Sequence, residues 1–248
     1  MTLTPEQLNQ FKRDGFIVLK NFANLDEVVA IKEKALTLMQ RPSEPLESEE
    51  EYHDLNADGS YTLRRLRQVY DRDPLFAAWM TNANIRPILK QVLGETPVLT
   101  LAHHNSIMTK MPSEISNTCW HQDRRYWDFE SDNLVSVWLA LGSERIENGL
   151  LEFIPGTHTM EFMASQFDSK VCFRNDISEN EPIIAKRVHQ DLEAGDVVVF
   201  HCRVLHSAFN NKTNSPKISF VYTVKGQSNR PIPGTRSSRH PEVVLEAL

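Results

Sequence analysis

The stretch Pro97-Val98-Leu99-Thr100-Leu101-Ala102-His103-His104-Asn105-Ser106-Ile107-Met108 marks a change of period in the chain. Val98 to Met108 alternates roughly, the two-residue repeat of a strand with one face on a core. Leu134 to Leu141 alternates in the same way, and Val197 to Phe200 and Ile218 to Val224 read as further strands. Asn148-Gly149, Pro155-Gly156, Gly195-Asp196 and Asn210-Asn211 punctuate them as turns. Many short strands separated by turns predict a jelly roll or β-sandwich across residues 96–226.

Upstream, the repeat is helical. Thr4 is placed to cap a helix, Pro5 suits its first turn, Gln7 completes a capping box and Gly15 ends it. Phe16 to Leu19 reads as a short strand. Leu25 to Met39 carries Val28, Ile31, Ala35 and Leu36 near a 3.6 period, Asp73-Pro74 opens a helix through Trp79, and Ile85 to Leu93 is closed by Gly94. Residues 41–58, with two prolines and a run of glutamates, read as a mobile surface loop and a candidate lid from Glu44 to Glu51. The expected organisation is one domain over 1–248. Residues 1–95 give helical support, a mainly β core follows, and 227–248 form a C-terminal tail.

Composition narrows the function classes. The 248 residues fit one medium-sized domain, and 40% hydrophobic with 24% charged residues suits a water-exposed enzyme. A net charge of -6 argues against nucleic acid as a partner. No apolar run approaches a membrane span, and the first residues lack the apolar core of a secretion signal. Cys119, Cys172 and Cys202 are odd in number and widely spaced. They predict no disulfide framework and make a reducing cytoplasm the default. The sequence sets no oligomeric state.

The chemistry-bearing residues are His121-Gln122-Asp123 and His206. On extended backbone, residues two apart share a face, so His121 and Asp123 can chelate one ion together. With His206 they form a two-imidazole, one-carboxylate set, which leaves the opposite face of an iron open to oxygen and a chelating cosubstrate. A Cys2His2 zinc site from Cys119, His121, Cys202 and His206 is the competing arrangement, but its spacing is unlike a zinc finger and leaves Asp123 without a purpose. His103, His104 and His201 alternate poorly with the ligand face and read as core or surface histidines.

Taken together, these pieces resemble the phytanoyl-CoA dioxygenase family over nearly the whole chain. Leu3 to Gln7 and Asp14 to Val18 are similar to its N-terminal helix and strand. His121-Gln122-Asp123 matches its metal motif. Glu147-Asn148-Gly149-Leu150-Leu151 with Ile154-Pro155-Gly156-Thr157-His158 matches its central signature, and Gly195 to Phe200 followed by His206 resembles its second ligand segment. The resemblance implies a double-stranded β-helix fold, Fe(II) held by His121, Asp123 and His206, and 2-oxoglutarate and O2 as cosubstrates. It implies release of succinate and CO2 and hydroxylation of a C–H bond in a small molecule. Asp123 keeps the carboxylate that halogenating relatives lack, which favours hydroxylation.

The family's arginine eleven residues past the distal histidine is here Lys217, expected to hold the far carboxylate of 2-oxoglutarate as a point donor rather than a fork. Trp138, Gln122, Lys110 and Ser207 are the further cosubstrate candidates, although Ser207 stands one residue past His206 where the family has its serine two past. Arg124 and Arg125, directly after the metal motif, are candidates to grip an anionic substrate, with Arg64, Arg65 and Arg67 near Tyr61 and Tyr70 as a second basic cluster. His158 reads as structural. A jelly-roll protein that binds metal or ligand without turnover is the alternative, motivated by Lys217 and the displaced serine.

Overall fold

A computed structural model describes residues 1–48, 62–112 and 118–246 of the chain. The helices are α1 (Pro5–Asp14), α2 (Leu25–Gln40), α3 (Pro74–Met80), α4 (Arg86–Leu93) and the single turn α5 (Glu181–Ile184). The strands are β1 (Phe16–Leu19), β2 (Leu46–Ser48), β3 (Leu63–Arg67), β4 (Pro97–Lys110), β5 (Thr118–His121) and β6 (Leu134–Ala140). They continue with β7 (Leu151–Ile154), β8 (Val188–His189), β9 (Val197–His201), β10 (Leu205–Ala208), β11 (Lys217–Gly226) and β12 (Glu242–Val244).

Local chemistry sets the helix ends. The Thr4 hydroxyl accepts from the Gln7 amide at 3.2 Å, and the Gln7 side chain accepts from the Thr4 amide at 2.9 Å, so two otherwise orphaned donors are satisfied. Gly15 closes α1 at φ +84, where an added Cβ would lie 2.5 Å from the His158 ring. His158 thus packs under the helix end, its Nε2 bonded to the Lys12 carbonyl at 3.2 Å. Asn24 caps α2 and Asp73 caps α3.

Two antiparallel sheets face each other as a jelly roll. The larger runs β1-β9-β6-β11-β4-β3-β2, with β12 added to the start of β4; the smaller runs β5-β10-β7-β8. Helices cover the outer face of the large sheet, where Ile31, Phe76, Trp79, Leu89, Val199 and Phe220 form the main core. The inner face meets the small sheet through Trp138, Leu151, Phe153, Val198, Phe200 and Val221. Coverage on both faces explains why every residue of β6 and β11 is buried. Each fully buried Leu, Val or Phe contributes about 1.5–3 kcal/mol.

The structure departs from the sequence reading in two places. Leu46–Ser48 is a strand paired with β3, not loop, and Glu47 is buried against Arg65 and Arg67. Residues 49–51 of the proposed lid, with Tyr61, lie outside the described residues. Within the C-terminal tail, β12 pairs with β4, and Ser237 is buried against His103 at 2.7 Å. Cys119 and Cys172 form a disulfide across 53 residues, contrary to the expectation of free thiols. Their separation gave no local signal, but β5 and the 167–173 turn meet through Phe173 and Trp120, whose backbones bond at 2.7 Å. Among the described residues, no helix is long and apolar enough to cross a membrane.

Candidate active site

His121 ends β5, and its cross-strand partner on β10 is His206. Gln122 continues extended at φ -116, ψ 123, so the two-residue alternation carries Asp123 to the same side although a 3-10 turn begins there. The result is a cluster of three ligand atoms lying within 4.8 Å of one another. His121 Nε2 and His206 Nε2 are 3.8 and 3.7 Å from Asp123 Oδ1. An ion at about 2.1 Å from each would draw such atoms to about 3 Å apart, so the set could hold one metal ion.

Backbone carbonyls orient both imidazoles. His121 Nδ1 donates to the Cys119 carbonyl at 2.8 Å and His206 Nδ1 to the Val204 carbonyl at 3.1 Å, leaving each Nε2 lone pair aimed at the cluster. Burial, and then His206, pushes His121 down to about 3, and burial also lowers His206, so both are neutral ligands at physiological pH. For Asp123, burial acts to raise the carboxyl, but His104, His206 and His121 together outweigh it and hold the group well below the usual carboxylate range. Its two oxygens are separately held. His104 Nε2 donates to Oδ1 and the buried Ser136 hydroxyl to Oδ2, each at 3.0 Å.

The sequence reading missed His104. The β4–β11 register explains why: Tyr222 pairs with Asn105, but Thr223 pairs with Thr100, so residues 101–104 bulge from the ladder. The bulge breaks the alternation that made His103 and His104 look like core or surface residues. It turns His104 onto Asp123 and stacks His103 on Trp127, ring centroids 5.1 Å apart.

Two spaces open from the cluster. The larger is a cavity of about 530 Å3 whose lining includes Arg64, Arg65, Tyr126, Trp127, Lys170 and Arg236. The smaller recess, about 70 Å3, reaches back between the sheets past Lys110, Thr118, Trp138, Ala208 and Lys217. Lys110 and Lys217 are direct cross-strand partners on β4 and β11. Lys217 Nζ lies 3.1 Å from Glu144 and 5.0 Å from the Trp138 ring centre.

Other candidates are placed elsewhere. Ser207 alternates away from His206 on β10, as a strand requires, and its hydroxyl donates to Glu152. Gln122 is buried behind the metal ligands, with its amide on the Arg203 carbonyl and its oxygen accepting from Arg125. The 3-10 turn from Asp123 to Tyr126 swings both arginines off the cavity wall. Arg124 is locked onto Asp132 and the Trp127 and Phe129 carbonyls, and Arg125 lies 3.4 Å over the Phe167 ring. Arg64 and Arg65 do reach the cavity, joined by Lys170 and Arg236, which nothing local in the sequence singled out. The Cys2His2 arrangement fails: Cys119 is bonded to Cys172, and the buried Cys202 thiol, raised by burial, donates to the Asp132 carbonyl.

Comparison with known proteins returns one family, described as phytanoyl-CoA dioxygenase (PhyH), matched over residues 11–219. The peroxisomal phytanoyl-CoA dioxygenase of Homo sapiens is 26% identical over 85% of this chain, which spans 65% of the human protein. The ectoine dioxygenase of Sphingopyxis alaskensis is 22% identical over 92% of this chain and 78% of its own length. The structure of EctD from S. alaskensis with 2-oxoglutarate and 5-hydroxyectoine superposes with a TM-score of 0.77 at 20% identity, covering 98% of this chain and 86% of EctD. The epimerase SnoN, with Fe3+, α-ketoglutarate and nogalamycin RO, gives 0.73 at 19%, covering 93% and 90%.

Proposed function

The chain belongs to the phytanoyl-CoA dioxygenase family and is an Fe(II)- and 2-oxoglutarate-dependent dioxygenase, and from that premise we propose that it hydroxylates a C–H bond of a small anionic metabolite. One observation carries the reading: His121, Asp123 and His206 converge on a single metal position that opens to a cavity on one side and a lysine-lined recess on the other. Iron bound there, with O2 and 2-oxoglutarate, supplies oxidative decarboxylation to succinate and CO2, one oxygen atom passing to succinate and the other to the substrate as hydroxyl.

The protein's own residues bind, orient and shield. His121, Asp123 and His206 would hold the metal and leave positions for cosubstrate and oxygen. Lys217 and Lys110 give the recess the positive charge that suits a distal carboxylate, and Trp138 walls it. The cavity wall presents Arg64, Arg65, Lys170 and Arg236 against Glu47 and the metal ligand Asp123, an excess of positive charge that favours a carboxylate or phosphate on the substrate. Tyr126 and Trp127 offer flat apolar surface beside it. A cytoplasmic location is part of this proposal. It rests on the need for 2-oxoglutarate, an intracellular metabolite, and it requires the Cys119–Cys172 bond to survive or be dispensable in a reducing compartment.

The test is an anaerobic titration with Fe(II) and then 2-oxoglutarate, followed in the visible spectrum. A weak charge-transfer band should develop with wild-type protein and be lost in His206→Ala. Iron binding with no band would instead favour a jelly roll that binds metal without turnover. The Lys217–Glu144 pair is what favours that second reading, because the expected anchor already has a carboxylate partner.

A further inference from the structure

Glu144 is fully buried and lines neither the cavity nor the recess, yet it holds two residues that line the recess. Its Oε1 accepts from the Trp138 indole at 3.0 Å and the Ser219 hydroxyl at 2.6 Å, and its Oε2 accepts from Lys217 Nζ at 3.1 Å. All three donors sit on one face of adjacent strands. Lys217 and Ser219 are two apart on β11, and Trp138 pairs with Val221, the next residue of that face. Glu144 itself is tied down from outside the sheet, exchanging backbone hydrogen bonds with Leu192 at 2.9 and 3.1 Å.

Two physical arguments give this carboxylate a purpose. Lys217 is almost fully buried and lies directly across from Lys110, and like charges in that position repel. A buried ammonium without a counter-charge is costly. Glu144 supplies the counter-charge from behind the recess. It uses one of the three hydrogens on Nζ and leaves the others directed away from it. The Trp138 ring, fixed by the same carboxylate, lies against the ammonium.

We propose that Glu144 is a positioning residue for the cosubstrate, holding Lys217 aimed and Trp138 in place, so that the pair can receive the distal carboxylate of 2-oxoglutarate. The inference rests on the 2-oxoglutarate reading above. Lysine in this setting is less self-orienting than arginine, whose planar fork fixes its own geometry. A rigid partner makes up for that, and the Glu144–Lys217 pair then aids cosubstrate binding rather than obstructing it.

The experiment measures binding of 2-oxoglutarate to Fe(II)-loaded protein under anaerobic conditions by the charge-transfer band, beside the Fe(II) affinity of the same variants. Glu144→Gln should weaken 2-oxoglutarate binding about tenfold, the scale of one charge-assisted hydrogen bond, and leave Fe(II) affinity within about twofold. Glu144→Asp should restore part of the loss, and the loss should disappear in a Lys217→Gln background, where there is no ammonium to hold. Ser219→Ala is a milder variant, which removes one bond to Glu144 and none to the recess. It should weaken 2-oxoglutarate binding several-fold and carries the test if Glu144→Gln does not fold. Unchanged binding in Glu144→Gln and Ser219→Ala would reduce the carboxylate to a packing element, and tighter binding in Glu144→Gln would make it a competitor of the cosubstrate. Either result overturns the inference. Failure of the band in wild-type protein would overturn the function proposed above instead.

Discussion

Ser136→Ala removes a single oxygen atom and addresses how the metal carboxylate is held. Ser136 is wholly buried on β6, and its hydroxyl donates to Asp123 Oδ2 at 3.0 Å. Oδ1 faces the two imidazoles and keeps its bond from His104 in the variant, while Oδ2 is left buried with no donor. An orphaned buried acceptor costs about 1–3 kcal/mol, and more when charged, while 1.4 kcal/mol is about tenfold in an equilibrium constant. Part of that cost falls on the apoprotein and part on metal binding, because a carboxylate free to rotate must be reoriented to ligate. Loss of such outer partners typically weakens metal affinity about 10–100-fold. Fe(II) affinity is therefore expected to fall by about tenfold or more, with a lower melting temperature for the apoprotein. The assay is anaerobic competition against a chromophoric chelator, with thermal melts of the metal-free protein alongside. Fe(II) affinity within twofold of wild type would refute the reasoning and show that the backbone turn at Asp123 alone sets the carboxylate.

Two further outcomes follow from the structure. Cys172→Ser opens a loop of 53 residues, and the chain-entropy cost of losing such a cross-link is about 4 kcal/mol. Denaturant unfolding of the wild type with and without reductant should reproduce that loss, and a variant as stable as the oxidised protein would contradict it. The His201 imidazole is pushed down to about 4, chiefly by burial and then by His158. A folded-state value below the ordinary value of about 6.5 means its contribution to stability is complete above about pH 6.5 and is lost as pH falls toward about 4. Urea midpoints across that window should show a shallower pH dependence in His201→Gln, by about one proton, and an unchanged slope would exclude His201 as the source.

Much of the fold was legible because its signals are local. The Thr4 capping box, the Gly15 and Gly94 helix ends and the alternation of β6 each depend on a few neighbouring residues. The metal set was legible for a related reason, since His121 and Asp123 obey the two-residue rule through an extended Gln122. The same rule applied to β10 would have turned Ser207 away from His206. Arg124 and Arg125 were misplaced because a 3-10 turn, not a strand, follows the motif, and its tighter winding points them at Asp132 and Phe167. What stayed hidden depends on distant pairing. Cys119 meets Cys172 only where the 167–173 turn bonds to β5, and Lys217 meets Glu144 only through the pairing of β11 with β6. His104 reaches Asp123 only because four residues of β4 have no partner on β11. A bulge of that kind has no signature in composition.

The pairing of β1 with β9, Phe16 against Phe200, closes one edge of the large sheet with strands far apart in the sequence. His121 and His206 likewise become neighbours only through the β5–β10 ladder. Contacts of such long sequence separation are slow to form, because loop closure must be completed before they add stability. The ligand cluster therefore cannot nucleate folding in the way that a local zinc knuckle can. Iron enters a scaffold that has already closed, so refolding rates should be nearly indifferent to Fe(II) while unfolding slows in its presence.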